Sequence, residues 1–256
     1  MVSHNGGKSW QSESGLLSVQ VFMKRPGDID EKITKTLEIA RNKIRALELP
    51  AAVKQELVET ISDVDHKLHA VKYHLDNYSR AEEARIKELQ VNYRPPTGVQ
   101  ISVDEPGLIY EIESFLFQTK SCLDILSSAL KPGFGFPYCS FGGQGDDIIK
   151  LLQRNCPKPL NTHAQKIVIL IEDAQDAWLI DLIKMRDNVT HYSRLHGFHC
   201  FIEDPYIGGQ SVIIHYPTMP NGRRALEYLQ EIWEKILGFC HNFLELAVEA
   251  IASRPK

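Results

Sequence analysis

Residues 162–192 read THAQKIVILIEDAQDAWLIDLIKMRDNVTHY, and this stretch decides the fold class. Its apolar residues recur in steps of three and four, which predicts one long helix over 162–192. One apolar line comprises Ile167, Ile171, Ala174, Trp178, Leu182, Met185, Val189 and Tyr192. Leu179, Ile180 and Ile183 add a second apolar side, as expected for a helix that lies centrally in a bundle or at an interface.

The same periodicity predicts further helices over about 29–47, 51–91, 106–130 and 146–153, and a last helix that begins near Asn221. Two β-like stretches, 198–202 and 211–216, flank a turn-rich segment and are expected to pair as a hairpin. Residues 16–23 have the pattern of a short strand. The sequence therefore predicts a mainly α protein, a helical bundle with long helices and a small β-hairpin adjunct.

Length and composition limit the organisation and the function classes. We expect an N-terminal extension over 1–27 and a single helical domain over 28–256, with the hairpin at 198–217. The chain is 43% hydrophobic and 24% charged, which argues against wholesale disorder. Its formal net charge of -4 excludes a uniformly basic, histone-like surface, so any nucleic-acid site must be a local patch.

Location follows from the apolar runs and the cysteines. The longest aliphatic run, Ile167 to Ile171, falls far short of the roughly 20 residues that a membrane span requires. No signal peptide is visible at the N-terminus. The five cysteines are odd in number and contain no C-x-x-C pair, so a disulfide framework is not expected. We expect a cytoplasmic protein that binds neither membrane nor DNA.

The strongest candidate site is the segment MRDNVTHY, residues 185–192. Arg186 can hold a phosphate through its planar guanidinium, and His191 can move a proton near neutral pH. Asp187 lies four residues before His191 and can orient the imidazole. Arg186 and His191 are about 140° apart on a straight helix. They converge only if Arg186 reaches around, if the helix is distorted, or if a second copy faces the first.

This pattern resembles the motif of HEPN domains, the higher eukaryotes and prokaryotes nucleotide-binding family of all-α domains. In that motif an arginine is followed by Asn, Asp or His, and a histidine comes four to six residues after the arginine. The helix YEIESFLFQTKSCLDILSSAL, residues 110–130, also resembles the earlier long helix of these domains. The resemblance covers roughly residues 30–250 in helix order and is specific over 110–130 and 178–192.

The resemblance implies a metal-independent endoribonuclease without a cofactor, working as a homodimer whose two motifs face each other. Arg186 would stabilise the scissile phosphate, His191 would exchange protons with the ribose 2′-hydroxyl and Asp187 would position one of them. Glu113 or Asp124 would lie next to Arg186 or His191 and support it without contacting the RNA. The expected product carries a 2′,3′-cyclic phosphate. Residues 184–199 hold three cations against one carboxylate, a local charge of +2 that favours single-stranded RNA through Lys184, Arg194 and His196.

Several alternatives stay open. Arg186 and Asp187 can form an ordinary surface ion pair, with His191 capping the helix, in a non-catalytic interaction or nucleotide-binding module that dimerises. A zinc site at His191, His196, His199 and Cys200 matches no closed ligand pattern, so no metal is predicted there. The cluster Asp65, His66, His69 and His74 is more typical of a solvated helix face than of a metal site.

The glycine-rich loop 131–145 is not a Walker A loop, because no Gly-Lys-Ser/Thr follows it. Its aromatic residues can stack on unpaired bases or anchor the loop on the bundle, and we favour anchoring. Cys122 and Cys240 fall on apolar helix faces, which predicts inert core residues.

Overall fold

The computed structural model describes residues 30–92, 101–104, 106–136, 139–191, 199–203 and 213–254. Within these ranges the chain forms eight α-helices and three strands. In chain order they are α1 Glu31–Ala46, α2 Ala51–Asn92, β1 Ile101–Asp104, α3 Pro106–Ser127, α4 Lys131–Phe134, α5 Asp146–Asn155, α6 Asn161–Ala174, α7 Ile180–His191, β2 His199–Glu203, β3 Ile213–His215 and α8 Ala225–Ala252. The mainly α class is confirmed. The expected extension over 1–27, with its short strand, lies outside the described residues.

α1 begins where its sequence supplies a cap. The Asp30 carboxylate accepts hydrogen bonds from the backbone N–H groups of Lys32 at 2.8 Å and Ile33 at 3.4 Å. These bonds satisfy N–H groups that have no partner inside the helix. The buried residues of α1 follow helical spacing and are Ile33, Leu37, Ala40 and Ile44. Pro50 then precedes α2, the longest helix at 42 residues.

α2 and α3 pack side by side in opposite directions. Lys67 donates to Gln118 at 3.0 Å, and His74 lies 2.6 Å from Glu111, so later residues of α2 meet earlier residues of α3. α8 packs against α1, α2, α3, α4 and α6 and is therefore the central helix of the bundle. Phe243, on α8, is fully buried. The core consists of aliphatic and aromatic side chains whose burial stabilises the fold by roughly 1.5–3 kcal/mol each.

A three-stranded antiparallel sheet lies beside the bundle in the order β1-β2-β3. β2 and β3 form the expected hairpin, in which Phe201 faces His215 and their rings stack 4.0 Å apart. β1 pairs with the other edge of β2 and places Val103 opposite Cys200. The sequence did not reveal β1, because four residues are too few for alternation to be recognised and its pairing partner is distant in the chain.

The predicted long helix 162–192 is interrupted by a π-helical turn, Gln175–Leu179, between α6 and α7. α6 packs against α5 and α8, whereas α7 packs against α3. The first apolar line is buried from Ile167 to Met185, and Leu179 and Ile183 of the second side are also buried, while Tyr192 lies outside the described residues. Among the helices that the structure describes, none is both long and apolar enough to cross a bilayer.

The loop 131–145 is anchored on the bundle by its aromatic residues. Phe134, Phe136 and Phe141 are buried, and the Phe141 ring meets Phe239 of α8 edge-on at 6.0 Å. Anchoring is therefore confirmed for these three residues, while Tyr138 lies outside the described part. The loop prediction is wrong for its first four residues, because they form the helical turn α4.

Cys122 of α3 and Cys240 of α8 are both fully buried, and their sulfur atoms lie 3.9 Å apart. None of the five cysteines forms a disulfide. The contact with Cys122 is the main reason why the thiol pKa of Cys240 is raised, and burial raises it further. The expectation that both are core residues is confirmed.

Candidate functional site

The candidate site lies where α7 packs on α3. Of the predicted site residues, Arg186 and Asp187 lie on α7, and Glu113 and Asp124 lie on α3. Arg186 follows the buried Ile183 by three residues and the buried Leu182 by four, so it lies on the packed face of α7. Its side chain keeps 20% of its surface exposed. The guanidinium is thus carried by a helix face that the core holds in place.

Asp187 forms an ion pair with Arg186, with Oδ1 3.1 Å from Nη1. The Asp187 side chain is 43% exposed, and pairs in such positions contribute about 0–1 kcal/mol to stability. The contact is compatible with both sequence interpretations. It is the ordinary ion pair of the non-catalytic alternative, and it is also the contact through which Asp187 would hold the guanidinium.

His191 is the last residue of α7, and its side chain lies outside what the structure describes. Residues 180–191 are regular α-helix, so positions 186 and 191 remain about 140° apart. The helix is distorted, but at 175–179, before the motif. Of the three ways to bring Arg186 and His191 together, distortion between them is therefore excluded. A long reach of Arg186 or a second copy remains.

The two carboxylates of α3 have different surroundings. Burial raises the pKa of Glu113, because a partly buried carboxyl favours its neutral form. Asp124 is 42% exposed, and its Oδ1 lies 2.5 Å from Nζ of the buried Lys120. The sequence analysis did not select Lys120 as a site residue. Its spacing of four residues from Asp124 was the available signal.

Of the three residues expected to bind RNA, the structure places Lys184, which is exposed on α7. Arg194 and His196 lie outside the described residues, as do the side chains of His191 and His199. Cys200 is buried in β2. The zinc alternative at these positions therefore stays a hypothesis.

The cluster on α2 forms structural contacts between helices. Arg41 of α1 binds Asp65 at 2.8 Å, and His69 lies 3.0 Å from the same carboxylate. His74 contacts Glu111 of α3. The interpretation as a solvated face holds for His66 alone, since the other three residues are half-buried. Within the described ranges, no group of three or more His, Cys, Asp or Glu residues could hold a metal ion.

Sequence reasoning missed a polar cluster at the start of α8. Arg224 donates to the buried Glu82 of α2, and its guanidinium lies 3.8 Å from the centre of the Tyr216 ring. Tyr78 donates to Glu82 at 3.4 Å, and burial is the main reason why the pKa of Tyr78 is raised. Glu82, Tyr216 and Arg224 border a cleft of about 340 Å³. Glu82 is one of the buried residues of α2. A carboxylate among buried apolar residues of a helix indicates that a cation or hydrogen-bond donor lies next to it.

The comparisons with known proteins do not identify a function for this site. No family model matches the sequence, and neither a curated protein nor a solved structure matches it. The functional conclusion therefore depends on the motif in α7 and on its packing against α3.

Proposed function

We propose that this protein is a HEPN-like, metal-independent endoribonuclease that cleaves single-stranded RNA as a homodimer. The observation that carries the proposal is the packing of α7, with its Arg-Asp-x-x-x-His motif, against α3 with its carboxylates. A guanidinium on a rigid, partly exposed helix face is suited to bind and neutralise a phosphate. This arrangement supplies the electrostatic part of phosphodiester cleavage without a metal ion.

The chemistry follows from the residues present. His191 accepts the proton of the ribose 2′-hydroxyl as its oxygen attacks the adjacent phosphorus atom. Arg186 stabilises the negative charge that develops on the phosphate, and Asp187 holds the guanidinium through the ion pair. The bond from phosphorus to the 5′ oxygen breaks, and that oxygen takes up a proton. The products are a 2′,3′-cyclic phosphate and a 5′-hydroxyl end.

A homodimer can bring together Arg186 and His191, which a single helix keeps apart. Because positions 186 and 191 diverge around α7, Arg186 of one copy and His191 of the other can converge when two motifs face each other. In this arrangement two equivalent sites form across the twofold axis. The absence of any disulfide among the five cysteines is compatible with a reducing compartment, and we place the protein in the cytoplasm.

A cleavage assay tests the proposal. Purified protein is incubated with single-stranded RNA, with and without EDTA, beside the variants Arg186→Ala and His191→Ala. Arg154→Ala, which removes an exposed arginine of α5, is the matched control. We expect EDTA-resistant cleavage by the wild type and the control, and cleavage that is slower by about 10²–10⁴-fold in the other two variants.

Absence of RNA cleavage by concentrated wild-type protein in both conditions would overturn the nuclease proposal. Cleavage that stops with EDTA would favour a metal site instead. The second candidate is a non-catalytic dimerising module, in which the ion pair between Arg186 and Asp187 is an ordinary surface contact. If this candidate is correct, the wild type and the variants form the same dimers and none of them cleaves RNA.

A further inference from the structure

The π-helical turn Gln175–Leu179 ends seven residues before Arg186, where the helix changes its packing partners. A π turn has the hydrogen-bond pattern i→i+5, is rare, and appears mostly as a single turn inside α-helices, frequently at functional sites. It takes up more residues than an α turn and therefore rotates everything that follows. The direction in which α7 presents Arg186 thus depends on whether this turn is present.

Contacts from outside the helix hold the start and the middle of the turn. The Gln175 side-chain amide donates to the carbonyl oxygen of Gln144 at 2.7 Å and to Oδ1 of Asp146 at 3.1 Å. Both acceptors belong to the region that joins the anchored loop to α5. The first residue of the turn is therefore tied to a neighbouring element by two hydrogen bonds.

α8 holds the middle of the turn. The Lys235 ammonium donates to the carbonyl oxygen of Ala177 at 3.4 Å, and it also pairs with Glu231 on its own helix. The Trp178 ring packs edge-on against Phe239 at a centroid distance of 6.0 Å. The Ala177 carbonyl oxygen therefore has a side-chain donor from another helix.

We infer that Gln175 and Lys235 are positioning residues that hold the π turn and thereby direct Arg186 toward the α3 side of the bundle. The catalytic meaning of this inference rests on the proposed function, whereas its geometric content does not. Neither side chain touches the motif. Both act through the rotation of a twelve-residue helix that is otherwise regular.

The geometric content is tested by a distance between helices. Nitroxide labels are attached to Lys184→Cys on α7 and Phe117→Cys on α3, both exposed positions, in a Cys156→Ser background. The remaining cysteines are buried. Since a rotation of one residue step moves a side chain by several ångströms, we expect Gln175→Ala to shift the distance by about 3 Å or to broaden it.

Lys235→Met is the second variant and should change the distance in the same direction. Gln165→Ala removes an exposed glutamine of α6 and should leave the distance unchanged. Thermal unfolding confirms that each variant is folded. An unchanged distance in both Gln175→Ala and Lys235→Met would overturn the inference, whether or not the protein cleaves RNA.

The catalytic content is tested by a double-mutant cycle on RNA cleavage. If Gln175 acts through Arg186, Gln175→Ala lowers kcat by about tenfold or more with little change in KM, and it has no further effect in an Arg186→Ala background. Independent losses that add in the double variant would contradict positioning. If the wild type does not cleave RNA, the proposed function fails while the distance measurement still decides the inference.

Discussion

Arg224, at the start of α8, ion-pairs with Glu82, a carboxylate of α2 that is only 2% exposed. The pair connects the segment after β3 to the C-terminal third of the longest helix. Its neighbour Arg223 pairs instead with Glu231, and both side chains of that pair remain more than one-third exposed. Two adjacent arginines thus hold ion pairs of very different burial, which allows a direct comparison.

We expect Arg224→Ala to lower the free energy of unfolding by about 3 kcal/mol, because it leaves the Glu82 carboxylate buried without its cation. Arg223→Ala is the matched control and should cost less than about 1 kcal/mol, as exposed pairs do. Urea unfolding followed by circular dichroism measures both. Equal losses would show that burial of Glu82 does not set the energy of its pair.

Gly145 is a position where the backbone requires glycine. Its φ is +94°, and a Cβ atom there would lie 2.5 Å from Cγ2 of Ile171. Gly145→Ala should therefore destabilise the protein by about 1–3 kcal/mol. A Cβ at Gly143 meets nothing within 4 Å, so Gly143→Ala should be neutral or stabilise by up to about 1 kcal/mol. The order of the two melting temperatures tests this, and a Gly145→Ala variant as stable as wild type would contradict it.

Glu113 and Glu83 should give opposite pH dependence. Burial raises the pKa of Glu113 above its ordinary 4.5, so the folded state loses stability as the pH rises from below that value through the raised pKa. Glu113→Gln removes this loss and should gain stability relative to wild type between pH 4 and pH 7. Thermal unfolding over that range measures the difference.

The pKa of Glu83 is lowered instead, chiefly by its hydrogen bond with Lys87. Its contribution is present above the ordinary pKa and is lost as the pH falls through the lowered one. Glu83→Gln should therefore be less stable than wild type at pH 7 and approach it at low pH. Parallel curves for the two variants would refute the assignment of opposite shifts.

Mixing two inactive variants tests whether the proposed site is shared between copies. If Arg186 of one copy works with His191 of the other, a heterodimer of Arg186→Ala and His191→Ala retains one intact site. A random mixture should then regain up to about a quarter of the wild-type rate, because half of its dimers are mixed and each holds one site of two. RNA cleavage by the mixture measures this. No recovery, with mixed dimers demonstrated, would place both residues in one chain.

The helices were predictable because their apolar periodicity is strong and their ends are marked. Pro50 and Pro106 lie at the boundaries that the structure shows, whereas the helix predicted from about residue 29 begins at Glu31, after its cap Asp30. The hairpin was also predictable, from β-rich stretches on either side of a turn-rich segment. These are local signals, which a single sequence carries.

The features that the sequence did not reveal depend on distant contacts. β1 is a strand because β2 lies beside it, and the turn at 175–179 is π-helical where Gln144 and Lys235 contact it. The partner of Glu82 is 142 positions away in the chain. For the candidate site, the motif and the α3 carboxylates could be selected from the sequence, while the different surroundings of Glu113 and Asp124 depend on packing.

The placement of the cysteines allows the opening of the core to be followed by thiol labelling. Four of the five thiols are buried, and burial raises the pKa of Cys139 to about 11, so almost none of it is the reactive thiolate at neutral pH. A thiol-reactive dye would modify the half-exposed Cys156 first, and it would reach Cys122 and Cys240 only when α3 and α8 separate. The labelling rate of these two thiols would therefore report how often α3 and α8 separate, and no probe needs to be added to the core.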